Sequence, residues 1–434
     1  MNEVAVGITA LVVLLFLFTT GIELGFAMAA VGVAGFAYLN SSYAAWNLLG
    51  RDIFDALSSY GFTVIPLFVL MGQIGSSAGI ALRMYDSAHK FVGHIPGGLA
   101  MATVLGATGF KAICGSSPAT AATFASVAIP EMNRYGYDTR LSTGIVSSVA
   151  TLGAIIPPSI ALILFGIITE QSIGKLFLGG IIPGLMASFF FMVIIYGWAR
   201  INPALAPRSK PFTWRERWAS LPEVIWVLVV FLLVVGGIMQ GLFTPTEAGA
   251  VGTFALLLLA VVKKDMTFKK YVDAIIESLL NAVMIMMLIV GSLILGHFIT
   301  STNIPQHAAD WIVALPLNRY VIMILICIIY EIGGSFIDDL SFMIIATPIF
   351  YPAVLKLGFD PLWFGIVIAV MIMIGVVIPP VAICVFVVKN ITKVPLGTIY
   401  KGVMPFLISL VLVAVLLFLF PSLALWLPSV SFSH

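Results

Sequence analysis

The sequence predicts an all-α polytopic membrane protein. Apolar stretches of span length fill most of it, two longer ones carry glycine-rich polar centres, and its two halves repeat at one fixed offset. Of the 434 residues, 61% are hydrophobic and 9% charged, and the mean hydropathy is +1.14. A soluble domain carries about a quarter charged residues. A bilayer core takes about 20 apolar residues as helix. Stretches that meet this requirement fall near 4–20, 21–39, 61–80, 141–168, 176–199, 222–243, 245–262, 274–299, 362–388 and 403–427. The first lacks the positive flank and small-residue cleavage site of a signal peptide and reads as a retained span.

Stretches 97–130 and 319–355 are too long for one crossing, and their centres read Cys-Gly-Ser-Ser-Pro at 114–118 and Gly-Gly-Ser-Phe-Ile-Asp-Asp at 333–339. Each reads as a re-entrant hairpin, since irregular backbone at membrane depth is tolerated only inside protein or beside water. Cations support the layout, because short cytoplasmic loops collect them. With the N-terminus outside and both stretches re-entrant, the outer loops hold only Arg51, Lys175, Arg319 and Lys356 of the 21 lysines and arginines. Lys111 lies within the first hairpin, and the rest fall inside. Drawing either hairpin as a single crossing moves the basic loops behind it to the wrong side.

Two segments look less membranous. Residues 40–60, with Trp46, Arg51, Asp52 and Asp55, read as an interfacial helix. Residues 200–221, with prolines and five cations, read as a cytoplasmic linker.

A shift of 222 residues aligns Pro130 with Pro352, Gly136 and Asp138 with Gly358 and Asp360, Gly153 with Gly375, Pro157 and Pro158 with Pro379 and Pro380, and Pro183 with Pro405, without a gap. Residues 1–221 thus form a first repeat, with hairpin 97–130 and broken helix 141–168. Residues 222–434 form a second, with hairpin 319–355 and broken helix 362–388. The first starts outside and the second inside, so the copies are expected to be inverted, an arrangement used by secondary transporters with a midplane site.

The proline pairs supply the chemistry. Pro157 and Pro158 have no N–H, so the carbonyls of Gly153 and Ala154 lose their helical donors, and Pro379 and Pro380 do the same to Gly375 and Val376. Freed carbonyl dipoles suit a dehydrated cation such as Na⁺, and half-helix N-termini suit an anion. A kink relieved by a Ser or Thr side chain is the alternative. The hairpin tips add Ser116, Ser117, Thr120 and Thr123 in one half, and Ser335, Asp338, Asp339 and Ser341 in the other. Such hydroxyls can bind Na⁺ or an anion, or serve only tight packing. An intramembrane carboxylate points to function, although the Asp338 and Asp339 pair also suits a helix N-cap, and only one of two adjacent residues is expected to face a site. Lys111 can neutralise an anionic substrate, pair with an acid such as Asp338, or snorkel.

Several functions are disfavoured. A formal net charge of +2 without a basic face argues against nucleic acid as a partner. Cys114, Cys327 and Cys384 lie apart in apolar runs and suggest neither disulfide nor zinc. No nucleotide-binding or zinc-protease motif is present. Glu170 and Glu247 are expected as solvated or capping carboxylates. His297, within a span and without an evident partner, reads as a packed polar residue. A hydrolase built on Asp338, Asp339 and a serine would not predict an inverted repeat.

The segments GSSPATAA at 115–122, IPEMNRYGY at 129–137, GAIIPPS at 153–159, FLGGIIPGL at 177–185, FTPTEAGA at 243–250, and ATPIFYPAVLKLGFDPLWFGIV at 346–367 with the following GVVIPP carry a resemblance over essentially the whole length. They are similar to the large membrane subunit of tripartite ATP-independent periplasmic (TRAP) transporters. The resemblance implies an ion-transporter superfamily fold of elevator type in the bacterial inner membrane, with a periplasmic N-terminus on the charge pattern above. It implies Na⁺-driven import of a small organic anion, a carboxylate or sulfonate, with a small four-helix membrane subunit and a periplasmic substrate-binding protein as partners. No four-helix segment precedes residue 1, so the small subunit is expected as a separate chain.

Carried over by position, the Na⁺ sites are Ser116, Ser117, Gly153 and Pro157 in one half, and Gly334, Asp338, Gly375 and Pro379 in the other. The substrate side would take Lys111, Thr120, Ser159, Ser335 and Asp339. The second repeat has Val381 in the place of Ser159, so the two sites are expected to differ. An antiporter or efflux carrier of the same superfamily is the alternative reading.

Overall fold

The computed structural model describes residues 3–336, 339–380 and 382–431, and for Phe336 and Asp339 only the backbone. Asp338, a candidate ion ligand, and Val381 lie outside the described residues. The described chain is all-α. Among the described residues, six helices are long and apolar enough to cross a bilayer unaided, including Ile173–Ile201, Trp214–Met239 and Leu396–Leu419.

The two long stretches are helical hairpins. In the first, Gly98–Lys111 enters, residues 112–116 turn, and Ser117–Arg134 returns. Ser116 ends the turn as an N-cap, its hydroxyl accepting from the backbone N–H of Ala119 at 3.3 Å, and Pro118 fits the first helical turn, where a missing N–H costs nothing. In the second, Arg319–Phe336 enters and Asp339–Lys356 returns. The two returning arms have bounds that differ by 222 at both ends.

The proline pairs interrupt their helices. Thr139–Ala150 continues as a 3₁₀ turn, Thr151–Ala154, and helix resumes at Ile160–Ile168 after residues 155–159. Pro361–Gly375 likewise stops before residues 376–382 and resumes as Ile383–Thr392. Both Pro-Pro bonds are cis.

The halves meet through glycine. Thr139–Ala150 crosses Leu396–Leu419 with Gly144 against Gly402, so close that a Cβ on Gly402 would meet the Arg140 carbonyl. Reciprocally, Gly179 of Ile173–Ile201 packs on Ile366 of Pro361–Gly375, 3.1 Å from where its Cβ would stand. Small residues at such crossings let backbones approach closely where lipid gives no hydrophobic drive.

Around this unit lies a frame. Leu24–Leu39 packs along Phe268–Ser301, with Gly25, Gly32 and Gly291 at the contact. Val64–Ser77 touches both Pro245–Val262 and Phe268–Ser301. Residues 40–60 form the amphipathic helix Ser42–Ser58, capped by Ser41. The second half joins the equivalent segments into one 34-residue helix, Phe268–Ser301, about 51 Å long.

Two expectations shift. The helix read from 222 starts at Trp214, eight residues earlier, because Thr213 and Glu216 form a reciprocal capping box. His297 also has a partner: its Nδ1 lies 2.8 Å from the Asp52 carboxylate, which is buried on Ser42–Ser58. Glu247 caps Pro245–Val262 through Thr244, as its position at a span end suggests.

Candidate functional site

The first hairpin tip, the returning arm of the second hairpin and both broken helices line one cavity of about 640 Å³ together with the frame. The first tip contributes Gly115, Ser116, Ser117 and Pro118, and the first break contributes Gly153 and Ala154. Leu340 and Ser341 come from the second hairpin, and Ile372 and Val376 from the second broken helix. The frame contributes Glu23, Gln73 and Asn281 among apolar residues such as Phe68 and Leu288. A largely apolar chamber with a few convergent polar groups is the usual form of a small-molecule site.

Each tip touches the adjacent break. A Cβ on Gly115 would strike the Pro158 carbonyl, and one on Gly153 would strike the Lys111 ammonium and lie 3.2 Å from the Ser117 hydroxyl. In the second half, Gly375 faces Gly334, whose carbonyl carbon is 3.9 Å from where a Gly375 Cβ would stand.

The four freed carbonyls divide into two pairs. The Ser159 hydroxyl donates to Ala154 O at 2.6 Å, and the backbone N–H of Cys384 donates to Val376 O at 3.2 Å. For the carbonyls of Gly153 and Gly375 no donor is found among the described residues. One carbonyl of each half is therefore satisfied, by a hydroxyl in the first and by the main chain in the second, while the other has no donor among the described residues.

The other candidates are placed as follows. Ser116, Ser117 and Gly153 reach the cavity. Pro157 is buried beside them in the first break, whereas Pro379 is exposed in the second. Ser159 is fully buried and, besides bonding Ala154, caps Ile160–Ile168 by accepting from the N–H of Leu162. Thr120 is fully buried, its hydroxyl donating to Ser116 O at 3.0 Å. Ser335 is buried, its hydroxyl donating to the Glu331 carbonyl at 2.7 Å within its own helix. Asp339 opens the returning arm. Lys111 is fully buried and donates to Ser116 O at 2.9 Å. No carboxylate pairs with it among the described residues.

Asn281 did not stand out in the sequence reading. Of the frame's polar groups on the cavity, Glu23 is engaged as an N-cap on Phe26 and Gln73 is bonded to Glu277, so Asn281 is the one whose amide has no partner among the described residues. A lone amide amid Leu279, Leu280, Val283 and Met284 was the available signal.

Residues 11–423 match the family described as Tripartite ATP-independent periplasmic transporter, DctM component. The chain belongs to this family. It is 36% identical to the C4-dicarboxylate TRAP transporter large permease protein DctM of Pseudomonas aeruginosa over 88% of this chain and 89% of that protein. It is 30% identical to the sialic acid TRAP transporter large permease protein SiaM of Vibrio cholerae, over 94% and 95%. An isethionate permease protein DctMQ of Oleidesulfovibrio alaskensis is 33% identical over 89% of this chain, which covers 61% of that longer protein. In fold, the chain is similar to the solved YdaH transporter of Alcanivorax borkumensis, with TM-score 0.56, 13% identity and 89% of each chain covered. It is also similar to MtrF of Neisseria gonorrhoeae, with TM-score 0.57, 12% identity, and 97% and 95% covered. The protein is thus a multi-pass TRAP large permease, a transporter subunit and not an enzyme.

Proposed function

We propose that this TRAP permease is the membrane carrier subunit of a Na⁺-driven importer of a small organic anion, a carboxylate or sulfonate, in the bacterial inner membrane, with its N-terminus periplasmic. The single observation that carries the reading is the shared cavity, where hairpins and broken helices from the two halves meet one frame. Freed carbonyls beside the tips suit Na⁺, and the Ser116, Ser117, Ser341 and Asn281 groups suit hydrogen bonds to an anion's oxygens. The halves act as inverted repeats. Hairpins and broken helices move together as an elevator against the frame, since Gly144 and Gly402 bind the halves into one unit.

A small four-helix subunit and a periplasmic binding protein complete the system. The family's tripartite description supports two partners, and relatives named for C4-dicarboxylate, sialic acid and isethionate, all small organic acids, support the substrate class. The test is uptake by proteoliposomes holding the chain and its small partner, with and without the purified binding protein. Uptake only with the binding protein is expected. Uptake indifferent to it would favour an antiporter or efflux carrier.

A further inference from the structure

We propose that the Lys111 ammonium is a built-in monovalent cation at the contact between the first hairpin tip and the first helix break, so that a mobile cation binds only at the equivalent contact of the second half. The proposal rests on the Na⁺-coupled reading only for the identity of the mobile ion.

Lys111 is among the largest fully buried side chains of the protein. It ends the entering arm Gly98–Lys111, and its Nζ donates 2.9 Å to Ser116 O, which also accepts from the Thr120 hydroxyl. The ammonium stands against Gly153, in the space a Cβ would claim there, with the Ser117 hydroxyl alongside. The carbonyl ends of two helical segments, Gly98–Lys111 and the Thr151–Ala154 turn, therefore flank one charge. Carbonyl ends carry the negative pole of a helix and favour a cation.

A buried charge is retained only where oxygens or a counter-charge compensate it. The compensating groups among the described residues are the Ser116 carbonyl and the Ser117 hydroxyl, oxygens of the kind that also bind a dehydrated Na⁺. A second cation within a few ångströms, in a medium of low dielectric, would be strongly repelled.

The second half differs at this point. The residue at the 222 offset from Lys111 is Gly333, which brings no ammonium. Around Gly375, the counterpart of Gly153, the only heavy atom within 4 Å of a Cβ among the described residues is the Gly334 carbonyl carbon, at 3.9 Å. The first contact holds a tethered charge, and among the described residues the second holds none.

The experiment counts bound ²²Na⁺ at saturation on the purified full chain, for the wild type, Lys111→Gly and Lys111→Met, and reads melting temperature with Na⁺ against choline. Lys111→Gly should bind one more Na⁺ per chain than the wild type and gain more thermal stability from Na⁺. Lys111→Met, which fills the volume without charge, should gain no ion and melt lower. If Lys111→Gly folds only when Na⁺ is supplied, the proposal stands. If it binds the same number of ions as the wild type, or Na⁺ fails to restore it, the proposal falls. A melting temperature of Lys111→Met equal to that of the wild type would also overturn it. A wild type that binds no Na⁺ would defeat Na⁺ coupling, while the increment of one ion would still decide the role of Lys111.

Discussion

The hydroxyl of Ser159 closes the first helix break by donating 2.6 Å to the carbonyl of Ala154, which Pro158 leaves without a helical partner. At the equivalent carbonyl, Val376, the donor is the backbone N–H of Cys384. The same defect is thus repaired by a side chain in one half and by the main chain in the other. Ser159→Ala leaves a buried carbonyl and a helix N-terminus unsatisfied, so it should cost about 1–3 kcal/mol. Cys384→Ala keeps its donor and should cost less. Melting temperatures of the two purified variants check the order, and equal losses would count against it.

Gly402 and Gly144 hold the halves at a distance no side chain fits. A Cβ on Gly402 would lie 2.7 Å from the Arg140 carbonyl carbon and 3.1 Å from Gly144 Cα. Gly402→Ala should therefore destabilise by about 1–3 kcal/mol. Gly197, inside Ile173–Ile201 with nothing within 4 Å of its missing Cβ, is the control. Gly197→Ala should be neutral or stabilise by up to about 1 kcal/mol. Thermal unfolding in detergent distinguishes them.

Gly375→Ala tests the second ion contact. Among the described residues its new methyl meets only Gly334, at 3.9 Å, so the fold should survive. The methyl fills the gap proposed for Na⁺, and half-saturation of uptake by Na⁺ should rise about tenfold, a change of about 1.4 kcal/mol. An unchanged Na⁺ dependence in a well-folded variant would place the ion elsewhere.

Acid stability should depend on Asp138, in the loop between the first hairpin and the first broken helix. Hydrogen bonds from the Arg140 guanidinium, foremost, and from the Arg140 backbone N–H hold its carboxyl below the usual 3.8. A carboxylate depressed in the folded state stabilises above its unfolded value, and that contribution is lost as pH falls through the lower folded value. Asp138→Ala should cost about 1 kcal/mol at pH 7 through the lost N-cap and ion pair. The gap to wild type should narrow only below about pH 4. Melting curves from pH 7 downwards check this, and a gap that closes near neutrality would contradict it.

Hairpins and breaks were legible in the sequence because both are written locally: glycine and hydroxyl residues inside apolar runs, and proline pairs at one offset. The early start at Trp214 was also local, in Thr213 and Glu216, but was masked by the charged residues around Trp218. The Asp52 and His297 pair was not legible, since 245 positions separate the partners and only packing of Ser42–Ser58 on Phe268–Ser301 joins them. Nor was the inward turn of Thr120 and Ser159. A hydroxyl near a freed carbonyl can face a cavity or repair the backbone, and only coordinates distinguish the two. The burial of Lys111 against Gly153 belongs to the same class, because a lysine five residues before a cap serine reads equally as snorkelling.

The most direct test of the central claim is the initial rate of binding-protein-dependent uptake in proteoliposomes, measured with an inward Na⁺ gradient and with an equal choline gradient. Uptake should occur with Na⁺ alone, and should collapse when an ionophore dissipates the Na⁺ gradient. Equal rates in Na⁺ and choline would contradict Na⁺-driven transport through a contact between hairpin tip and helix break.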